Sequence, residues 1–115
     1  MSRRRHRKRN ERQARQLVTW GRQVDAAMQA AGAESARLES LAEEQRANMP
    51  ALKAAFFAAA CVAQDPTRPA DERAAARERF AAIQATARAD RCELLHAGER
   101  YNAAEDHASA QLRSR

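Results

Sequence analysis

Alanine constrains the fold of this chain more than any other residue, because it occupies 30 of the 115 positions. Its helix propensity is the highest of the common residues and it buries little surface, so it favours long helices joined along thin seams. Only 3 glycines and 3 prolines are present to interrupt such helices. No run of residues alternates apolar and polar side chains as a strand does. The chain is therefore predicted to be all-α, with one domain at most.

The first predicted helix spans about 10–47. Its apolar residues recur at spacings of three and four, beginning with Leu17, Trp20 and Val24. Glu34 interrupts this apolar stripe, and Gly32 lies beside the interruption. Gly32 is compatible both with the end of one helix and with a weak point in a continuous one.

A second, short helix is predicted over 50–64. Asn48-Met49-Pro50 indicates a break before it, since proline disfavours helix in the preceding residue and is accepted at the first helical position. The segment is apolar on every side except at Lys53, and it contains Phe56 and Phe57. It is shorter than the roughly 20 residues that cross a bilayer. We therefore expect either a central helix covered by its neighbours or an oligomer contact.

The third predicted helix spans 70–112 and follows a turn at Asp65-Pro66-Thr67-Arg68-Pro69. Its apolar stripe is nearly heptad, with Asp90 intruding. The larger members of this stripe are Phe80, Ile83, Leu94 and Tyr101. Gly98 marks either a kink or the close approach of another helix.

The first and third helices are long enough to pair lengthwise. This predicts a long helical hairpin or a three-helix bundle that carries a basic N-terminal arm. Because alanine seams bury little area, we expect a dimer or a larger assembly to complete the core. The side chains expected to contact a partner or a second copy are Leu17, Trp20, Val24, Phe56, Phe57, Phe80, Ile83, Leu94 and Tyr101.

Positive charge is concentrated in residues 1–15, here called the arm. The arm holds eight basic residues against one acidic residue, Glu11, and so carries a charge of +7. Its basic residues are Arg3, Arg4, Arg5, Arg7, Lys8, Arg9, Arg12 and Arg15. The helical body, residues 16–115, has 13 basic and 14 acidic residues and is nearly neutral. The arm therefore supplies the positive field of the chain.

Arginine predominates in the arm, where Lys8 is the one lysine. A guanidinium group donates two parallel hydrogen bonds to phosphate oxygens, and cations that neutralise phosphates release condensed counterions. The composition therefore predicts binding to RNA or DNA phosphates, including entry of a short helix into an RNA groove. The alternative is a structural or adaptor component of a virus particle or larger complex, with the arm docked on an acidic protein surface.

The run from Arg3-Arg4-Arg5 through Glu11 and Gln13-Ala14 to Trp20 resembles the arginine-rich peptides with which phage antitermination proteins bind RNA hairpins. The resemblance covers about the first 20 residues. It implies a peptide that becomes helical on its RNA, with an aromatic residue stacked on a loop base. Trp20 also lies on the apolar stripe, where packing in the core explains it without RNA.

No catalytic residue, metal site or cofactor is predicted. Glu93 and His96 have the E-x-x-H spacing of di-iron bundles, but such a site needs a second element of this kind and two further glutamates. Phosphate-loop and glycine-elbow motifs are absent. Cys61 and Cys92 lie in apolar stretches where a free thiol is usually buried, and a disulfide between them stays an open alternative.

The sequence shows neither a secretory signal nor an apolar run long enough for a membrane span. We therefore expect a protein without a membrane partner, located in the cytoplasm or within a virus particle.

Overall fold

The computed structural model describes residues 2–114, with side chains from Arg3 onward. It contains two helices, α1 (Ser2–Gln64) and α2 (Ala70–Arg113), and these residues include no strand. The two long helices form a hairpin. The prediction of an all-α chain is therefore confirmed, and so is the hairpin among its two architectures.

The chain divides into two compact units. The arm unit comprises residues 1–36 and 99–115, and the turn unit comprises residues 37–98. Each unit contains one stretch of α1 and one stretch of α2.

In the arm unit, polar contacts set the antiparallel pairing of the two helices. The Trp20 Nε1–H donates a hydrogen bond to the Gln111 carbonyl oxygen at 2.8 Å. Farther along α1, the Glu34 carboxylate lies 3.7 Å from the Arg100 guanidinium. Glu34 therefore interrupts the apolar stripe of α1 because it faces a cation on α2.

In the turn unit, Gln45 of α1 contacts Asp90, the polar residue that interrupts the apolar stripe of α2. Its side-chain Nε2–H donates to the Asp90 carbonyl oxygen at 2.7 Å. Nearer the turn, the Phe56 and Phe80 rings contact each other with centroids 4.4 Å apart. A polar residue facing a particular partner disfavours other registers of an apolar seam, so these contacts specify which residues of α1 and α2 meet.

The α2 seam follows a heptad spacing. In the turn unit, the buried and half-buried positions of α2 include 73, 76, 80, 83, 87, 90, 94 and 97. In the arm unit they include 101, 104, 108 and 111. Within each unit the spacings alternate between three and four, which keeps one stripe of a helix against its neighbour.

The buried core is thin, as the alanine content indicates. It consists of Val24, Ala27 and Ala108 in the arm unit and of Ala59, Ala76 and Ala97 in the turn unit. None of the described large side chains is fully buried. Alanine removes little apolar area from water, so each unit gains modest hydrophobic stabilisation from its own seam.

The predicted break at Asn48-Met49-Pro50 is wrong, because α1 continues through Pro50. The described residues therefore form two helices rather than the three predicted. Proline inside a helix removes one backbone hydrogen bond and crowds the carbonyl four residues earlier. Seam contacts on both sides of Pro50, from Gln45 and Phe56 to α2, offset that cost.

Neither glycine singled out in the sequence interrupts a helix. Gly32 lies within α1 and Gly98 within α2. A methyl group added at either position would meet no atom within 4 Å outside its own helical turn. The expectation of a close helix approach at Gly98 is therefore wrong, and Gly32 belongs to a continuous helix.

Residues 65–69 form the turn between α1 and α2, and hydrogen bonds to the Asp65 carboxylate stabilise this turn. The Thr67 backbone N–H and hydroxyl donate to the Asp65 carboxylate at 2.9 and 2.6 Å. The Arg68 guanidinium lies 3.6 Å from the same carboxylate. The hydrogen bonds from Thr67, followed by the charge of Arg68, lower the pKa of Asp65 below its usual value. These contacts fix the short turn that lets α2 return along α1.

None of the described helices combines the length and the apolar content required to cross a bilayer.

We predict that Pro50→Ala raises the free energy of unfolding by about 2 kcal/mol, because it restores a helical hydrogen bond at the cost of a freer unfolded chain. Urea denaturation followed by circular dichroism measures the change. A neutral or destabilising effect would contradict a continuous α1, since proline is well accommodated where a helix starts.

Candidate nucleic-acid interface

The arm is helical from Ser2 and continues without interruption into the paired part of α1. The sequence alone places the start of this helix at about residue 10. Starting a helix is its costly step, whereas extending one adds a hydrogen bond for each residue fixed. The paired part of α1 supplies that start, so helix can extend through the arginines.

The apolar stripe of α1 ends at Leu17. At the same helical spacing toward the N-terminus, the stripe positions are held by Gln13, Asn10 and His6. Polar side chains at these positions provide no apolar surface for another helix to cover. Every residue from 3 to 19 is correspondingly exposed.

The end of α2 determines where α1 loses its partner. The Gln111 carbonyl oxygen accepts hydrogen bonds from Trp20 Nε1–H and from the Ser114 hydroxyl, both at 2.8 Å. Carbonyls in the last turn of a helix lack partners within that helix, so these donors cap α2. Because the pairing is antiparallel and α2 ends at Arg113, the arm extends beyond it.

Trp20 therefore has a structural role at this boundary. It is half-buried and contacts the end of α2, as the packing interpretation of the sequence expects.

The arm cations are poorly neutralised by the chain itself. Arg7 lies 3.9 Å from Glu11, and both side chains are largely exposed. Among the described residues, no other carboxylate lies within ion-pair distance of an arm cation. Like charges four residues apart, such as Arg5 and Arg9, repel each other, and cations are also disfavoured at a helix N-terminus. An external anion would relieve both effects.

Most arm cations share one side of the helix. At about 100° per residue, six of them fall within an arc of about 140°. These six, here called the cation face, are Arg4, Arg5, Lys8, Arg9, Arg12 and Arg15. Arg3 and Arg7 lie outside the arc, and its centre is roughly 110° from the stripe that faces α2 farther along the helix.

A groove of about 790 Å³ lies in the arm unit, where α1 continues past the end of α2. Arg12 and Arg15 line it together with Leu17, Trp20 and Ser114. The groove therefore joins the cation face to the capped end of α2.

The turn unit has an apolar groove of about 290 Å³ on its surface. The residues that line it include Met49, Leu52, Phe56, Phe57, Ile83 and Ala87. Phe57 is 63% exposed, although its ring lies edge-on against Phe56 at a centroid distance of 5.8 Å. Met49 and Leu52 were not among the predicted contact residues, because the break expected at Pro50 concealed the continuous helical spacing that links them to Phe56.

The predicted contact residues fall into three burial classes. Val24 is buried, whereas Leu17 and Phe57 are exposed. The half-buried members are Trp20, Phe56, Phe80, Ile83, Leu94 and Tyr101. Seam packing within the hairpin thus uses most of this set, and it leaves Leu17 and Phe57 available for other contacts.

Tyr101 also interacts with Glu105 on its own helix. Hydrogen bonding to the Glu105 carboxylate, followed by its negative charge, raises the pKa of the Tyr101 hydroxyl.

Cys61 and Cys92 are both exposed free thiols, so the expectation that they are buried is wrong. The described residues bring together no group of three His, Cys, Asp or Glu side chains suited to a metal ion. Glu93 and His96 lie on the exposed side of α2.

Comparisons with protein-family models, curated proteins and solved structures gave no match to this chain.

Proposed function

We propose that this protein is a non-enzymatic, nucleic-acid-associated helical protein. The arm binds RNA or DNA phosphates, and the apolar helix surface of the body makes contacts with a second copy. The observation that carries the proposal is the helical arm itself, whose eight cations are exposed beyond the end of α2.

The electrostatics of the arm support a polyanionic partner. Seven of its cations have no carboxylate partner within the described residues, and the repulsion among them falls when phosphates approach. Phosphates also accept paired hydrogen bonds from arginine, which supplies seven of the eight arm cations. A polyanion with closely spaced charges therefore suits the arm better than an isolated carboxylate does.

The thin core supports self-association. The described residues bury no large side chain completely, while Phe57 and Met49 remain 63% and 44% exposed beside the apolar groove. Covering that groove with the same groove of a second copy would remove aromatic and aliphatic surface from water and add to a seam made mainly of alanine.

We predict that replacing Arg5, Arg9 and Arg12 together by Gln lowers nucleic-acid affinity at least about tenfold, because three cations that neutralise phosphates are removed. Glutamine removes the charge and keeps a good helix propensity. Fluorescence anisotropy with labelled RNA and DNA, measured over a range of salt concentrations, tests this. On duplex DNA, the slope of log affinity against log salt should become less negative by roughly 0.9 for each phosphate that the variant no longer neutralises.

The matched control replaces three exposed arginines of the body, Arg77, Arg79 and Arg88, by Gln. It removes the same charge and should leave most of the affinity intact. Equal reductions of affinity in the two variants, or an affinity insensitive to salt, would contradict binding through the arm. Absence of binding to every nucleic acid, together with co-purification of a stoichiometric acidic protein, would favour the adaptor alternative.

We predict that Phe57→Lys converts a self-associated protein to monomer, because it places a charge against the apolar groove. Leu95→Lys is the matched control, since Leu95 is 62% exposed in the same unit and does not line the groove. Sedimentation equilibrium measures the mass of each form. A wild-type protein that stays monomeric at high micromolar concentration would contradict self-association.

A further inference from the structure

We infer that the ligand of the arm is B-form duplex DNA, which holds the arm as a preformed helix in its major groove. This inference rests on the proposed function and narrows it from nucleic acids in general to one form. It depends on the helical state of the arm, on the arrangement of the cation face and on the position at which α2 ends.

The width of the arm helix matches the major groove of B-form DNA. An α-helix with its side chains is roughly 10–12 Å across. The major groove of B-form DNA is about 12 Å wide and admits such a helix. The major groove of A-form RNA is deep and too narrow for side chains to read, and a helix enters RNA only where that form is disturbed. The arm is already helical as a continuation of α1, so it has the dimensions of the DNA groove before any ligand binds.

The breadth of the cation face suits a helix that has phosphates on both of its sides. A helix lying in a groove has phosphates on both of its sides and base edges beneath it. An arc of about 140° is broad enough to point cations toward both phosphate walls and toward the floor between them. Arg4 and Arg9 lie at the two edges of this arc, while Lys8, Arg12 and Arg5 lie between them. An arginine directed at the floor matches the paired acceptors of guanine.

The position of the end of α2 leaves space for a duplex beside the arm. α2 extends to Arg113, next to the Gln111 carbonyl that Trp20 caps, and residues 3–15 are all exposed, so no helix among the described residues covers the arm. The stripe that faces α2 farther along α1 is turned away from the centre of the cation face. Within the arm unit, a duplex centred on the cation face therefore approaches α1 from a direction about 110° away from the stripe that faces α2. Arg12 and Arg15 are the members of the face that lie beside the end of α2, in the groove that includes Ser114.

The test compares the full chain bound to three labelled probes of about 20 nucleotides per strand at one salt concentration: duplex DNA, duplex RNA and single-stranded DNA. We expect the DNA duplex to bind at least about tenfold more tightly than the other two. Charge alone would favour the RNA duplex equally, because its phosphates are just as numerous.

A charge-neutral variant tests the preformed helix. Ala14→Pro interrupts the arm helix, and Ala14 lies outside the cation face, so every cation of the face is retained. We expect about a tenfold weaker affinity for duplex DNA and little change on single-stranded DNA. Ala14→Ser, which leaves the helix intact, serves as the control.

A pair of equal charge changes tests the cation face. Arg5 belongs to the face, while Arg3 lies outside it at nearly the same distance from the chain terminus. We expect Arg5→Gln to weaken duplex-DNA binding about fivefold and Arg3→Gln less than twofold.

The outcomes separate this inference from the proposed function. Equal or tighter binding to duplex RNA or single-stranded DNA would overturn the inference, and so would an Ala14→Pro variant that binds duplex DNA as well as wild type. Both results would leave nucleic-acid binding by the arm in place. Failure to bind all three probes would overturn the proposed function as well.

Discussion

The antiparallel pairing of α1 with α2 along an alanine-rich seam is the constraint on which the other features depend. Alanine lets helices approach closely while burying little area, so apolar contact alone specifies the register weakly. Polar contacts across the seam supply that specification, through Glu34 with Arg100 in one unit and Gln45 with the Asp90 carbonyl in the other. The Trp20 indole then caps the last turn of α2 and fixes the point at which α1 continues alone.

The functional proposal follows from that end point. Past Trp20 the stripe has one apolar residue, Leu17, and then only polar positions, so nothing in the arm attracts another helix. The arm is helical because it continues the paired part of α1. It has too few carboxylates nearby to neutralise its own cations. A segment of this kind is held in a helix by its neighbour and is electrostatically suited to an external polyanion.

The sequence predicts the all-α class, the hairpin as one of two architectures, and the position of the charge, because alanine content and the spacing of apolar residues act locally. It fails at Pro50, where packing against α2 outweighs a local helix-breaking signal. Glu34 and Asp90 appear in the sequence only as interruptions, since the residues opposite them are distant along the chain. The cap on the Gln111 carbonyl is likewise invisible locally, and so is the groove that Met49 and Leu52 share with Ile83.

In this structure α1 is one helix from the arm through Pro50, and its pairing with α2 ends near Trp20. Backbone carbon chemical shifts and amide hydrogen exchange of the free, full-length chain test it most directly. A continuous α1 gives helical shifts without a gap from Arg4 to Gln64, with slow exchange beginning near Trp20 and faster exchange in the arm. Random-coil shifts throughout the arm, or a non-helical interval at Asn48 and Met49, would contradict it.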